Sequence, residues 1–210
     1  MNKTPTMKAA TAALIASIAL IALIAFAGSS MADTDKTTTT PPTAEELIKA
    51  LDLDGHVEGG FFRRTFEATD TPRIPTEGGD RFSMTSIFYL LTSGGPVGHF
   101  HMNRSDIVHY FHLGDPIDYF LIHPDGRLET LTMGPNPVEG HLLQMTVPGG
   151  IWKASRLQTG PLGYGLISEA VSPGFDYADM TLGKTSLLKA SFPQHADLID
   201  VLSRENPDER

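Results

Sequence analysis

Four of the eight histidines fall within residues 94–116, GGPVGHFHMNRSDIVHYFHLGDP: His99 and His101 two apart, then His109 and His112. Side chains alternate faces along a strand, so His-x-His on an extended segment presents both imidazoles to one side. A strand returning after a short turn can set a third imidazole opposite them. Three neutral nitrogens converging on one point hold a divalent transition metal. The chain has no cysteine, so such a site rests on nitrogen and oxygen alone. This reading makes His99, His101 and His109 the ligands, with Fe, Mn, Zn or Ni as the ion. The same spacing suits neutral imidazoles lining a polar pocket. His112 is predicted to face away, and His56, His123, His141 and His195 read as surface or turn residues.

Other residues fit the lining of a pocket around these histidines. Glu58-Gly59-Gly60 brings backbone close to a ligand or makes a bulged turn. Arg63 and Arg81 suit a carboxylate or phosphate partner, or an internal ion pair. Gln144 is expected inside the pocket. Trp152 is a stacking wall or core. Tyr164 and Asp176 carry no decisive spacing.

The elements that must position them are short. From Gly55 onward, runs rich in Phe, Ile, Val, Leu and Thr alternate with Gly, Pro and Asp over 60–68, 81–92, 97–101, 106–113, 117–123, 127–133, 141–147, 151–156, 162–171 and 179–183. Regular short strands with turn signals between them predict an all-β sandwich or barrel. Before them, Thr43 with Glu46 three residues on is a capping box opening a short amphipathic helix. After them, 186–204 keeps helical spacing and is split by Pro193, which predicts one or two closing helices.

At 210 residues the chain has room for one domain with a real core. The apolar run 9–27, flanked by Lys3 and Lys8 and followed by small residues at Ser30 and Ala32, predicts a signal peptide over 1–32. The alternative is an uncleaved anchor. Residues 33–42, DTDKTTTTPP, read as a disordered linker, and 43–204 as the folded domain. The destination is then periplasmic or secreted, with no stable membrane domain after cleavage. Loss of Lys3 and Lys8, with no acid alongside, moves the net charge from −9 to −11. Such acidity argues against nucleic acid as a partner.

Several blocks together resemble the Cupin_5 (DUF985) family of the cupin superfamily. They are LIKALDLDGHVEGGFFRRTF (47–66), TSIFYLLT (85–92), HMNRSD (101–106), HYFHLGDPID (109–118), LLQMTVPGGIWKAS (142–155) and SPGFDYADMTLG (172–183). The resemblance spans about 44–203. It implies a double-stranded β-helix (jelly-roll cupin) barrel with a short N-terminal helix and a C-terminal helical tail. It also implies a small-molecule pocket in the barrel mouth and a homodimer. Two departures stand out: Ile107 occupies the slot where the cupin pattern has Glu, and Lys153 the slot where metal cupins have His. The function expected is binding of a small polar molecule with a metal, as an isomerase or epimerase on a carbonyl or sugar-like substrate. A metal-dependent dioxygenase and a metal-free binding or carrier module are the alternatives. A metal-independent epimerase with a His/Tyr acid–base pair is a further one.

Overall fold

The structure, a computed structural model, describes residues 40–207. The expected signal segment and residues 33–39 of the linker lie outside the described residues. Helix α1 (Ala44–Leu51) starts on the expected capping box, the Thr43 hydroxyl accepting from the Glu46 N–H while the Glu46 carboxylate accepts from the Thr43 N–H.

Thirteen strands follow: β1 (Asp54–Gly55), β2 (Phe61–Glu67), β3 (Ile74–Thr76), β4 (Gly79–Arg81), β5 (Thr85–Thr92), β6 (Val97–Asn103), β7 (Asp106–Gly114), β8 (Ile117–Ile122), β9 (Leu128–Met133), β10 (Gln144–Val147), β11 (Trp152–Leu157), β12 (Tyr164–Ser172) and β13 (Met180–Leu182). They form a six-stranded sheet in the order β1-β2-β5-β12-β7-β10 and a five-stranded sheet in the order β13-β6-β11-β8-β9, with β3-β4 a separate hairpin. The pairings within both sheets are antiparallel. The two sheets face each other as a jelly roll, the fold the motifs predicted.

The inner faces alternate as strand geometry requires. Tyr89, Leu91, Phe111, Met145, Val147 and Ile167 from one sheet meet Tyr119, Leu121, Met133 and Leu157 from the other. Outside, α1 covers the six-stranded sheet at Leu90, Tyr164 and Leu166. The tail does split at Pro193, into α2 (Thr185–Ser191) and α3 (Ala196–Leu202). Both lie over Phe100, Phe120, Ile122 and Ala154 of the five-stranded sheet. The expected Gly-Asp-Pro turn is a clamp: the buried Asp115 carboxylate accepts from the N–H groups of Leu162 and Gly163 at 3.0 and 2.6 Å.

Candidate functional site

The interior of the barrel is apolar except at one end, where four strands each turn an ionisable group inward. On β11, Trp152 and Ala154 point out, so Lys153 points in and is 3% exposed. On β12, Ile167 and Val171 face inward and Glu169 lies between them. His109 stands directly opposite Glu169 across β7 and β12, and His101 opposite Lys153 across β6 and β11. Glu58, from the loop before β2, closes the group.

The distances define a triad and a pair beside it. Lys153 Nζ sits 2.8 Å from His109 Nε2 and 3.1 Å from Glu169 Oε1, and those two atoms are 3.0 Å apart. Beside them His101 Nε2 lies 3.2 Å from Glu58 Oε1. His101 Nδ1 is 2.8 Å from the His99 carbonyl oxygen, which can only accept. The proton is therefore on Nδ1 and the Nε2 lone pair faces Glu58. Tyr119 packs edge-on against His109 at 5.3 Å, and the Tyr89 hydroxyl donates to the Gly59 carbonyl at 2.9 Å.

Burial acts differently on the two carboxyls. Desolvation pushes Glu58 up to about 8, only partly opposed by Lys153, so it is protonated near neutral pH and donates to His101 Nε2. Glu169 is buried too, yet Lys153 and His109 hold it well below the usual carboxylate range. Burial and the Lys153 charge push His101 and His109 down, so both imidazoles are neutral. Desolvation drives the Tyr89 and Tyr119 phenols well above their ordinary range.

Glu58 and Glu169 open onto a narrow cavity also lined by His56, Phe62, Arg64, Ile107 and Phe175, among others. Its free volume is about 20 Å³, room for one water. A wider groove of about 650 Å³ runs past Ser93, Asp118, Arg156 and Gln158, but it is open and none of the buried charged cluster lines it. The buried carboxyls of the cluster line the narrow cavity instead.

The three-histidine metal site does not form. Between Gly98 and His101 strand β6 carries two residues, His99 and Phe100, against the single Ala154 of β11. This bulge breaks the alternation. Gly98 still faces Tyr89 and Ser155 in the interior. His99 turns with Phe100 to the tail side, near the Leu202 backbone and Arg204; burial and that charge push it down to about 4. His101 and His109 do face inward, but the Lys153 ammonium already fills the space against His109 and Glu169. Among the described residues no three His, Asp or Glu side chains are arranged to hold a metal ion. The residues present do not fit one.

Two other expectations shift by one position. Arg63 is exposed and its neighbour Arg64 enters the cavity. Gln144 is exposed, since Met145 and Val147 are the inward residues of β10. Trp152 packs outward against the tail helices. Arg81 takes the structural role, pairing with Asp179 through two bonds of 2.6 and 3.1 Å away from the cavity. His112 faces outward as expected, its Nε2 2.8 Å from the Ser168 hydroxyl. His56, read as a surface residue, lies in the cavity with its Nδ1 3.6 Å from Glu58 and its ring edge-on to Phe62.

Sequence reasoning passed over Glu169, Arg64 and Asn103. The signal was present for Glu169: an acid between Ile167 and Val171 sits on the apolar face of its own strand. For Arg64 the signal was Phe62, the inward aromatic two residues before it.

A two-sheet jelly roll with a polar, partly ionised pocket at one end defines a cupin barrel. The chain belongs to Cupin_5, described as Cupin superfamily (DUF985), which matches residues 45–183. It is similar to the uncharacterized protein YML079W of Saccharomyces cerevisiae, 37% identical over 69% of this chain and 77% of that protein. Among solved structures it resembles a hypothetical protein from Leishmania major, with 33% identity, 78% of this chain and 100% of the other covered, and a TM-score of 0.73. A second is protein SO0799 from Shewanella oneidensis, with 35% identity, 78% and 99% covered, and a TM-score of 0.71.

Proposed function

We propose that this cupin barrel is a metal-independent proton-transfer catalyst of the isomerase or epimerase class, acting on a small carbonyl compound. The observation that carries it is that one cavity is lined by two buried carboxyls in opposite surroundings, Glu169 against the Lys153 ammonium and Glu58 against the His101 imidazole. Glu58 is a buried acid and Glu169 a buried base, the division of labour that acid–base catalysis requires. Glu169 takes the proton next to the carbonyl, and the Glu58 carboxyl gives one to the carbonyl oxygen. Lys153 keeps Glu169 ionised in a dry site, and His109 and His101 brace the two acids.

The test is deuterium uptake from D2O, followed by NMR, into a panel of small ketones, aldehydes and keto acids. Exchange lost by about 100-fold or more in Glu169→Gln and in Glu58→Gln is the expected result. Binding without exchange in the wild type overturns this reading and leaves the carrier reading. Stoichiometric metal, lost on His101→Ala, would sink it outright.

The same proposal extends to setting. The chain works after export, its mature form beginning near Asp33; N-terminal sequencing that finds Met1 retained overturns that. It works as a homodimer, with exposed Tyr110 and Leu143 side by side at the outer edge of the six-stranded sheet as the apolar contact. Light scattering at monomer mass would refute the dimer.

A further inference from the structure

One cavity residue is left unexplained by proton transfer alone. Asn103 ends β6 on the same face as His101, is 8% exposed, and lines the cavity beside Glu58 and Glu169. Its side-chain oxygen is buried and accepts no hydrogen bond. Buried acceptors are paired with few exceptions, so an orphan on a residue that lines a cavity asks for a donor brought from outside. The Glu169 carboxylate, on the facing sheet and lining the same cavity, is also an acceptor. Of the donors along the cavity, the Arg64 guanidinium is already engaged by Glu67 and the Phe175 carbonyl and the Thr85 hydroxyl by the Phe175 N–H, and the Glu58 carboxyl stands beside the two acceptors. The cavity as it stands has room for one water, so a larger ligand enters by parting its apolar lining of Phe62, Ile87, Ile107, Val171 and Phe175.

We infer that the cavity is built for a short, neutral α-hydroxyketone, whose hydroxyl donates to Asn103 Oδ1 while its carbonyl oxygen accepts from Glu58. This rests on the proton-transfer reading and narrows its substrate. The apolar part of the lining matches the alkyl ends of such a compound. Glu169 offsets the Lys153 charge and Glu67 the Arg64 charge, so no net positive charge calls for an anionic substrate. The chemistry balances without a cofactor. The Glu169 carboxylate takes the proton from the hydroxyl-bearing carbon, that C–H electron pair becomes the new C=C bond, and the carbonyl oxygen takes the Glu58 proton. The product is an enediol. Return of a proton to either carbon regenerates an α-hydroxyketone, racemised or with its two functions exchanged, and nothing is oxidised or reduced overall.

The experiment compares 3-hydroxybutan-2-one with butan-2-one, which lacks only the hydroxyl, by calorimetric binding and by deuterium exchange. It uses the wild type, Asn103→Leu, which removes the acceptor at similar size, and Asn103→Asp, which keeps one. Expected is a preference of roughly tenfold or more for the hydroxyketone in the wild type. Asn103→Leu abolishes it and Asn103→Asp retains it. Equal affinity for the two compounds, no binding of either, or a preference that survives Asn103→Leu overturns the inference. In the first case, exchange of the butan-2-one protons would leave proton transfer standing. Selective binding with no exchange would do the reverse, sinking proton transfer and keeping the ligand class. If Asn103→Leu does not fold, the wild type and Asn103→Asp still decide.

Discussion

At the scale of single residues, the site depends on keeping one carboxyl charged and another neutral in the same dry space. Glu58 carries its folded-state pKa above its unfolded one, at about 8 against 4.5. It therefore favours unfolding increasingly as pH rises from about 4.5 to 8, because the unfolded chain releases the proton first. His99, His101 and His109 are pushed down, so their effect runs the other way and is complete by about pH 6.5. Between pH 6.5 and 8 only Glu58 titrates among these groups. Denaturation midpoints are expected to fall across that interval in the wild type and to stay level in Glu58→Gln; a level wild-type curve would contradict the assignment. Lys153→Met tests the other carboxyl. Removing the ammonium leaves Glu169 buried and unpaired, which costs about 3 to 5 kcal/mol, and Lys153→Met with Glu169→Gln should regain much of it. Urea titration of the three proteins separates an ion-pair role from simple packing, in which the double variant would be the less stable.

At the scale of elements, one strand pair decides what reaches the cavity. Arg64 donates to the Phe175 carbonyl at 3.4 Å and to Glu67 at 2.8 Å, and its guanidinium lies 5.7 Å from the Phe175 ring, so it braces the loop at the cavity mouth. Arg64→Ala is expected to speed ligand release several-fold in stopped-flow measurements. Arg63→Ala, on the outer face of the same strand, should change it little. Equal effects would mean that the face assignment is immaterial. This pair also marks how far the sequence could be read. The strands, the capping box, the tail split at Pro193 and the inward His101, His109 and Lys153 follow from alternation and turn chemistry. Residues displaced by one, Arg63 for Arg64 and Gln144 for Met145, depend on register, which a one-residue slip inverts. His99 depends on a bulge, and nothing in VGHFHMN announces that two residues will face one. Asn103 was illegible for a different reason: it matters because of a bond it lacks.

At the scale of the whole molecule, the two sheets have opposite coverings. The five-stranded sheet is roofed by α2 and α3, while α1 covers the six-stranded sheet around Leu90 and Leu166. Asp115 ties the 160–163 loop down at the turn between β7 and β8. In the interior, the positive charge of the site is the end of a side chain, joined to β11 through carbon. A chelator has nothing to extract from it, and a medium starved of iron or manganese cannot empty it. Dialysis against EDTA is expected to leave ligand binding and deuterium exchange unchanged, and a loss restored by one particular ion would refute this. What such a barrel gives up in Lewis acidity it gains in independence from the supply of trace elements around it.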